Sequence, residues 1–334
     1  MMRLITTLTI FISIAFLNSC GKSADEEITG AILSANISLS KGDCQSAIDT
    51  LTAIAYQSRN ASFLKTLSAA YACRSGFSVV QFFANDLVLT ATHSPSLGGM
   101  SMYSTSLDTV TGALENNTNF SDLQRAIDIL LYAGGIASTT EPLSTERAKY
   151  FSSKELSEIN SQLSFMIMAQ LGKYMHFYAD TSTTGVKGAG ILSNNCFTSY
   201  QVAHADVTAY LGTGATGACN SNSSGHSLLN SSIAATTRAK RMCQGVVLMN
   251  SMLDALPTVI ASAGGGDLSS IPSLTTLTSA IAVVLGTSSN IANSIALLTG
   301  ELSQTNCEAT VNANAAGVAA AETFFAIYFE SLQQ

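Results

Sequence analysis

The sequence predicts an all-α protein in which helical hairpins continue into an irregular, disulfide-stapled helical bundle or solenoid. Long stretches rich in Ala, Leu, Ile and Ser carry helical periodicity, and the 334 residues include only four prolines and no tryptophan. These features argue against an all-β sandwich, which is built from many short strands joined by turns. With 47% apolar and 11% charged residues, the chain also differs from highly charged disordered proteins.

The charge balance excludes nucleic-acid binding as an expected function. Acidic residues outnumber basic ones by 22 to 15, so the chain lacks the basic surface that a phosphate backbone requires. The charged fraction is also well below the roughly 25% that is usual for soluble proteins. We therefore expect an uncharged polar exterior of Ser, Thr, Asn, Gly and Ala. Such a surface suits contact with a protein, a glycan or a neighbouring subunit, or else reflects a compositional habit of the organism.

The first 19 residues have the pattern of an export signal. A positive charge at Arg3 precedes an apolar stretch from Leu4 to Leu17, which is shorter than the roughly 20 residues of a membrane-spanning helix. The segment Leu17-Asn18-Ser19-Cys20 then resembles the lipobox of bacterial lipoproteins. This resemblance implies that the signal peptide is cleaved before Cys20 and that acyl chains such as palmitate are attached there. An ordinary signal peptide or an uncleaved anchor is the alternative.

The lipoprotein resemblance also implies a location and a domain order. Two or more acyl chains hold a protein stably on a membrane, because each buried methylene contributes roughly 0.8 kcal/mol. Gly21 follows the acceptor cysteine, as in lipoproteins that are sent to the outer membrane. We expect a signal peptide at 1–19, a lipid-anchored tether at 20–28 and a helical domain at 29–334. The protein would then lie in the bacterial cell envelope, on its periplasmic or its surface face.

Lipidation of Cys20 leaves an even number of cysteines for disulfide formation. In an oxidising compartment six cysteines fit three disulfides, and the simplest pairing joins sequence neighbours. We expect these bonds to take the place of charge pairs in tying the fold together. A zinc site is the alternative, but the cysteines lack the close spacing of a structural zinc cluster and the histidines are scattered, so no metal or other cofactor is predicted. The expected pairs are Cys44 with Cys73, Cys196 with Cys219, and Cys243 with Cys307.

A repeat near the N-terminus predicts helical hairpins over residues 29–95. Gly42 and Gly76 lie 34 residues apart, and the triplet Leu-Ser-Ala at 33–35 recurs at 67–69. This period resembles that of tetratricopeptide helix-turn-helix repeats. The resemblance implies a glycine in the turn of each hairpin, although the second copy has Gln81 where a small residue belongs.

The middle of the chain contains further helix signals. After a Ser-, Gly- and Thr-rich loop around 93–102, helical periodicity resumes at Leu107 and continues through Leu114. Ser-x-x-Gln at 121–124 and Ser-x-x-Glu at 152–155 have the form of capping boxes, which predict helix starts there. The first of these helices should stop at Gly134-Gly135. The second should be long, with Met166, Met168 and Met175 in the core.

The last third of the chain combines a loop with a return to helix. Residues 181–227 are rich in Gly, Ser, Thr and Asn and are predicted to form a disulfide-tied loop excursion, where binding often occurs. Residues 228–334 are predicted to be helical, with segments near 228–260, 274–285 and 291–303 and from Cys307 onward. The Ala- and Gly-rich run at 311–321 indicates close helix packing. We expect the last helix to be held in the core by its aromatic side chains, which are Phe324, Phe325, Tyr328 and Phe329.

Motifs that carry chemistry are weak in this sequence. The string Gly-x-Gly-x-x-Gly at 212–217 lacks the preceding strand that a dinucleotide site needs, so a loop is favoured. His204 and Asp206 have no third partner at an informative spacing. Glu155 and Glu158 are interpreted as the solvated start of a helix, and His176 as a hydrogen-bonded core residue. No catalytic residue is predicted.

These observations predict a non-catalytic, lipid-anchored envelope protein that acts as a protein-binding or scaffold module with an envelope protein partner. One alternative is a periplasmic accessory of solute uptake, because the predicted architecture is similar to that of helical lipoproteins associated with TRAP transporters. Another is an envelope glycan hydrolase. A pocket of clustered carboxylates with perturbed pKa values would favour the hydrolase, and a flat or apolar concave face would disfavour it.

Overall fold

A computed structural model describes residues 23–92, 96–179, 181, 184–185, 228–229, 233–262 and 296–330. Every regular element within these residues is a helix, which confirms the all-α class. They form two compact units, one up to Tyr56 and one from Gln57 onward. The signal peptide, Cys20, nearly all of the loop excursion with Cys196 and Cys219, and the helix predicted at 274–285 lie outside the described residues.

The described part of the first unit is a hairpin of two helices, α1 (Ala24–Ser40) and α2 (Cys44–Thr52). A capping box of Ser23 and Glu26 begins α1, so the helix already covers part of the predicted tether. Gly42 joins the helices at a φ of 76°, and the amides of Gly42 and Asp43 donate to the carbonyls of Leu39 and Ser38. This Schellman pattern needs a left-handed residue after the helix, which explains the glycine.

The second unit contains the remaining helices. It begins with α3 (Ala61–Arg74). The next helix, α4, is composite and consists of Val79–Gln81, the π-helical Phe82–Asp86 and Leu87–Thr92. The short α5 (Ser96–Met100) follows. A 3₁₀ turn (Leu114–Asn116) then precedes α6 (Thr118–Leu131), α7 (Ser144–Arg147) and α8 (Ser153–Tyr178). Next come α9 (Ala235–Ser262), α10 (Gln304–Ala313) and α11 (Ala315–Phe324), which continues into the π-helical Phe325–Glu330.

The turn after α3 repeats the turn after α1. Gly76 has a φ of 83°, and the amides of Gly76 and Phe77 donate to the carbonyls of Cys73 and Ala72. The helices on either side do not repeat as a pair, however, because α3 packs mainly against α6 rather than against α4. The structure therefore supports the repeated turn, and the tetratricopeptide-like interpretation stays a prediction.

The two predicted capping boxes have different outcomes. The box of Ser152 and Glu155 begins α8 as expected, with both reciprocal hydrogen bonds present. The box expected at Ser121 is wrong, because α6 begins four residues earlier with Asn117 as its cap. The Asn117 side chain accepts a hydrogen bond from the Phe120 amide, and the Ser121 hydroxyl donates to the Asn117 carbonyl inside the helix. Asn and Ser are equally good caps, so the sequence alone did not rank them.

Three other predicted segments are corrected. The loop expected around 93–102 contains the short helix α5. The helix expected from Leu107 to Leu114 is mostly irregular backbone, which includes Gly112 at a φ of 79°. The helix expected at 291–303 is also wrong over its described part, where residues 296–300 form turns. Ser303 caps the next helix by accepting a hydrogen bond from the Asn306 amide.

The C-terminal helices pack as the composition predicts. A side chain at Gly317 would clash with the Thr310 carbonyl, so α11 approaches α10 more closely than a larger residue would permit. Phe324, Phe325, Tyr328 and Phe329 are all buried, which confirms that they hold the last helix in the core.

The centre of the second unit is the contact between α8 and α9. Met166, Met168 and Met175 of α8 are buried there or against neighbouring helices, as predicted. None of the described helices combines the length and the apolar character needed to cross a bilayer.

Disulfides and ion pairs both tie the fold. Cys243 and Cys307 form the predicted disulfide, with 2.05 Å between their sulfur atoms, and it joins α9 to α10. Cys44 in the first unit and Cys73 in the second are each disulfide-bonded as well. The expectation that disulfides replace charge pairs is wrong, because several helices are joined by ion pairs that are largely buried. These pairs are Arg74–Asp122, Arg147–Asp254, Lys173–Asp108, Arg238–Glu322 and Arg241–Glu115.

Arg147 is the most deeply buried of these cations, with no exposed side-chain surface. Its guanidinium donates to Asn160 of α8 at 3.0 and 3.2 Å, to the Leu131 carbonyl that ends α6 at 3.2 Å, and to the Pro142 carbonyl. It also pairs with Asp254 of α9 at 3.5 Å. Burial lowers the pKa of Arg147 to about 10, while Asp254 acts in the opposite direction, so the group stays charged at neutral pH. We call these residues the Arg147 cluster.

Replacing Arg147 with Met should lower the free energy of unfolding by about 3 to 5 kcal/mol, because Asp254 and two backbone carbonyls would lose their buried partner. Urea denaturation measures this loss. The matched control is Lys149→Met, since the Lys149–Glu146 pair is exposed and its removal should change stability by no more than about 0.5 kcal/mol. A loss below about 1 kcal/mol for Arg147→Met would show that the cluster does not organise the unit.

Candidate functional site

Exposed apolar side chains concentrate on α4 and in the segment beside it. Five of the ten exposed large apolar residues in the described part of the chain lie on α4 or in the turn region that follows α5. Val80 is the most exposed of them, at 79%, and Phe83 is 41% exposed. We call this set the α4 surface: Val79, Val80, Phe83, Val88 and Leu107. A concentration of this kind on a folded protein typically marks an interaction site.

A groove between α3 and α8 runs beside the α4 surface. It has a volume of about 500 Å³ and includes Phe77, Val79 and Phe165 among its apolar lining residues. Small side chains, including Ala69 and Ser161, leave the space open between the helices. We call this the α3–α8 groove.

An aromatic cluster fixes α4 against the body of the unit. Phe82 is buried, with its ring centroid 5.8 Å from Phe77, 5.6 Å from Tyr103 and 5.5 Å from Phe165. The neighbouring Phe83 ring lies 4.8 Å from Phe165 in an edge-to-face contact. Phe82 therefore anchors the helix, while Phe83 connects the α4 surface with the α3–α8 groove.

The π-helical segment of α4 is held at its other end by a polar contact. The Asp86 carboxylate accepts hydrogen bonds from the amide and the hydroxyl of Ser104, at 3.0 and 2.8 Å. Single π-helical turns often occur at functional sites. Here Phe82 and Asp86, the first and last residues of the turn, both point inward, and Phe83 to Asn85 between them are exposed.

A second groove lies on the opposite flank of α4. It has a volume of about 460 Å³ and includes Val88, Met102 and Leu107 among its lining residues. The exposed apolar residues of the α4 surface are thus flanked by concave surfaces on both sides.

The α4 surface is nearly free of charge. Asp86 is the sole charged residue between Ser75 and Thr92, and it is buried. Lys65 and Glu158 are among the residues that line the α3–α8 groove, and they form an ion pair with each other. The hydrogen bond from Lys65, together with its charge, lowers the pKa of Glu158. The α4 surface therefore offers apolar contact rather than charge.

A carboxyl cluster lies elsewhere in the second unit, where the segment before α7 meets the start of α10. Glu141 accepts hydrogen bonds from the amides of Leu302 and Ser303, at 2.6 and 3.2 Å, and from Asn306 Nδ2 at 2.6 Å. Burial opposes ionisation of Glu141, but these bonds and one from Glu301 outweigh it and lower its pKa. Burial and the hydrogen bond to Glu141 raise the pKa of Glu301 to about 8, so Glu301 is the protonated partner.

A small pocket adjoins this cluster between α6, α9 and α10. Asp128 and Tyr132 are among the residues that line it, and its volume is about 110 Å³. Burial raises the pKa of Asp128 to about 6, although Gln124 and Arg125 act in the opposite direction. Clustered carboxyl groups with raised pKa values meet one criterion for a hydrolase. The pocket, however, is well below the roughly 300 to 1,000 Å³ of typical ligand sites and does not accommodate a glycan.

Most chemistry-bearing residues of the sequence are structural where they are described. Glu155 closes the cap of α8, Glu158 pairs with Lys65, and His176 Nδ1 shares a hydrogen bond of 2.8 Å with the Thr181 hydroxyl. His204, Asp206 and the glycine string at 212–217 lie outside the described residues. In the part of the chain that is described, no three His, Cys, Asp or Glu side chains are grouped to hold a metal ion.

Comparison with known proteins adds no relative. No protein-family model matches the chain, and neither the curated proteins nor the solved structures include a match.

Sequence reasoning missed the α4 surface and the two carboxyl sites. The sequence did contain a signal for α4, in the run Val79-Val80-Gln81-Phe82-Phe83-Ala84. In a helix, these apolar residues would point to several sides, and packing against one neighbouring helix cannot bury all of them. Glu141, Glu301 and Asp128 gave no signal. Their neighbours come from segments far apart in sequence, and only the fold brings them together.

Replacing Glu301 with Gln should flatten the dependence of stability on pH between about 5.5 and 8.5. The folded pKa of Glu301, about 8, is above its ordinary value of 4.5. Its stabilising contribution is therefore complete below about pH 4.5 and is lost as the pH rises through 8. Gln keeps a donor to Glu141 but does not titrate. The free energy of unfolding, measured by urea titration across this range, should therefore fall less for the variant.

The matched control for this test is Glu308→Gln. The Glu308 carboxylate accepts a hydrogen bond of 2.6 Å from Gln304, and both residues lie in α10. Parallel pH profiles for Glu301→Gln and the wild type would contradict a shared proton between Glu141 and Glu301.

Proposed function

We propose that this protein is a non-catalytic binding or scaffold module of the bacterial envelope, anchored by lipid at Cys20, that docks a protein partner on the α4 surface. The proposal rests on the concentration of exposed apolar side chains at α4. The exposed surface of this helix carries no charge, and a groove lies on each side of it. Burying such a surface against a partner releases it from water at roughly 25 cal/mol per Å² of apolar area.

The dimensions of the α3–α8 groove indicate the form of the partner. Its lining residues on α8 extend from Ser157 to Phe165, which is about 12 Å along the helix axis. This length matches about two turns of a docked helix. An amphipathic helix that inserts apolar side chains at i, i+3 or i+4, and i+7 fits such a groove.

The charge pattern restricts the partner further. A charged side chain placed against Val79, Val80 or Phe83 would lose water without gaining an ion pair, which is costly. We therefore infer that the contacting face of the partner is uncharged and apolar at its centre. Only its edge would meet the Lys65–Glu158 pair.

The alternatives receive less support. The carboxyl cluster is the one observation that favours a glycan hydrolase, and the adjoining pocket of about 110 Å³ is too small for that substrate. No contact among the described residues favours the solute-uptake accessory over a general binding module.

Lipid anchoring is tested by replacing Cys20 with Ala. The variant lacks the thiol that would carry the acyl chains, so it should move from the membrane fraction to the soluble fraction after export. Immunoblotting of fractionated cells measures the distribution. As a control, Cys243→Ser should remain with the membranes. Retention of Cys20→Ala in the membrane fraction would rule out the lipid anchor.

The docking surface is tested by site-specific photocrosslinking in intact cells. A photoreactive phenylalanine analogue at position 80 should give one discrete adduct, and mass spectrometry should identify an apolar segment of an envelope protein. The same analogue at position 297 is the control, because Leu297 is 55% exposed but lies outside the α4 surface. Absence of an adduct at position 80, or adducts only with lipid or with this chain, would contradict the proposal.

The substitution Val80→Asp should weaken binding of that partner about 100-fold or more, because it places an unpaired carboxylate in an apolar contact. Folding should be unaffected, since Val80 is 79% exposed. Leu297→Asp is the matched control and should bind like the wild type. Wild-type affinity should also change less than about 3-fold between 50 and 500 mM NaCl, since salt screens charge and not apolar contact. Calorimetry measures both effects.

A further inference from the structure

The pocket beside Asp128 has a polar end and an apolar wall. Its polar end includes Asp128 and Gln244, and its wall is formed by Leu131, Val247 and Leu248. None of its lining residues lines the α3–α8 groove or the second groove beside α4. It is therefore a separate concavity, and its occupant is independent of the proposed function.

The polar end offers acceptors without matching donors. Among the described residues, Asp128 accepts a single hydrogen bond, from Gln124 Nε2 at 2.9 Å. An ionised carboxylate has about four acceptor positions. The Gln244 Oε1 atom is buried and has no partner in the described part of the chain. A buried acceptor such as Gln244 Oε1 is normally satisfied by a donor, and a donor placed there would also reach a pocket lined by Asp128.

Among the described residues, Asp128 forms no ion pair, and its carboxylate is half-buried. Its pKa of about 6 leaves it mostly ionised at pH 7.5. The cation that acts on it is Arg125, which is exposed on the same helix, and Lys240 lines the pocket from α9 with an exposed side chain. A half-buried carboxylate without an ion pair favours a cationic ligand.

We propose that the Asp128 pocket binds a short primary alkylamine as its ammonium ion. The ammonium group donates hydrogen bonds to Asp128 and Gln244, and the alkyl chain lies against Leu131, Val247 and Leu248. The volume of about 110 Å³ corresponds to about four water-sized groups at roughly 30 Å³ each. Propylammonium, with four heavy atoms, matches this volume, and the fifth heavy atom of butylammonium reaches the open side of the pocket.

Isothermal titration calorimetry of the full chain with n-butylammonium chloride at pH 7.5 tests the proposal, with NaCl used to hold ionic strength constant. We expect saturable binding with a dissociation constant on the order of 1 mM, which is within reach of a ligand of five heavy atoms. Butan-1-ol has the same chain without the charge and should bind at least 10-fold more weakly. Equal binding of the alcohol, or no binding of the amine up to 20 mM, would overturn the proposal.

The matched variants are Asp128→Asn and Asp49→Asn. Both aspartates accept a hydrogen bond from a Gln four residues earlier on a helix, but the Gln45–Asp49 pair is exposed. We expect Asp128→Asn to weaken butylammonium binding at least 10-fold and Asp49→Asn to leave it unchanged. Wild-type affinity in Asp128→Asn would overturn the assignment.

A second measurement keeps the test valid if Asp128→Asn does not fold. Carbon-13 NMR of the wild-type carboxyl groups gives the pKa of Asp128 directly. A bound ammonium ion should lower this pKa by at least 0.5 in 20 mM butylammonium relative to 20 mM NaCl. An unchanged pKa would place the amine elsewhere and overturn the proposal.

Discussion

The buried guanidinium of Arg147 is the interaction on which the arrangement of the second unit depends. It joins the end of α6, the segment just before α7, the first half of α8 and the second half of α9 through one planar group. Arg suits this position because its donors lie in a fixed fork, whereas Lys presents a single point charge. Few charges occur in the chain, and several of them act in this way between helices rather than at the surface.

The firm attachment of these helices explains how α4 can expose apolar residues without unfolding. Phe82 and Asp86 anchor α4 to the body of the unit, and the residues between them face solvent. An apolar surface of this kind is a liability unless a partner covers it, because it also promotes aggregation. The same rigidity keeps the α3–α8 groove open, since closing it would require α3 or α8 to move from its packed position against α6. These constraints preform the surface on which the proposed apolar recognition depends.

Periodicity and local capping signals predicted the helical class, the start of α8 and the burial of the last aromatic residues, and the pairing of neighbouring cysteines predicted the Cys243–Cys307 bond. Local signals failed where two of them competed, as at Asn117 and Ser121, and where the apolar periodicity after Leu107 belongs to irregular backbone. The residues that join the helices and form the carboxyl sites were harder to predict because they depend on long-range contacts. Arg147 and Asp254 are 107 residues apart, and a buried Arg cannot be distinguished from an exposed one in a single sequence.

Native-state hydrogen exchange tests the central claim most directly, namely that the Arg147 cluster joins α6, α8 and α9 into one cooperative body to which α4 is attached separately. We expect the buried amides of α6, α8 and α9 to share the slowest exchange class and to open with one common free energy, while amides of α4 exchange faster. Independent opening of α9, or protection of α4 equal to that of α8, would contradict the account.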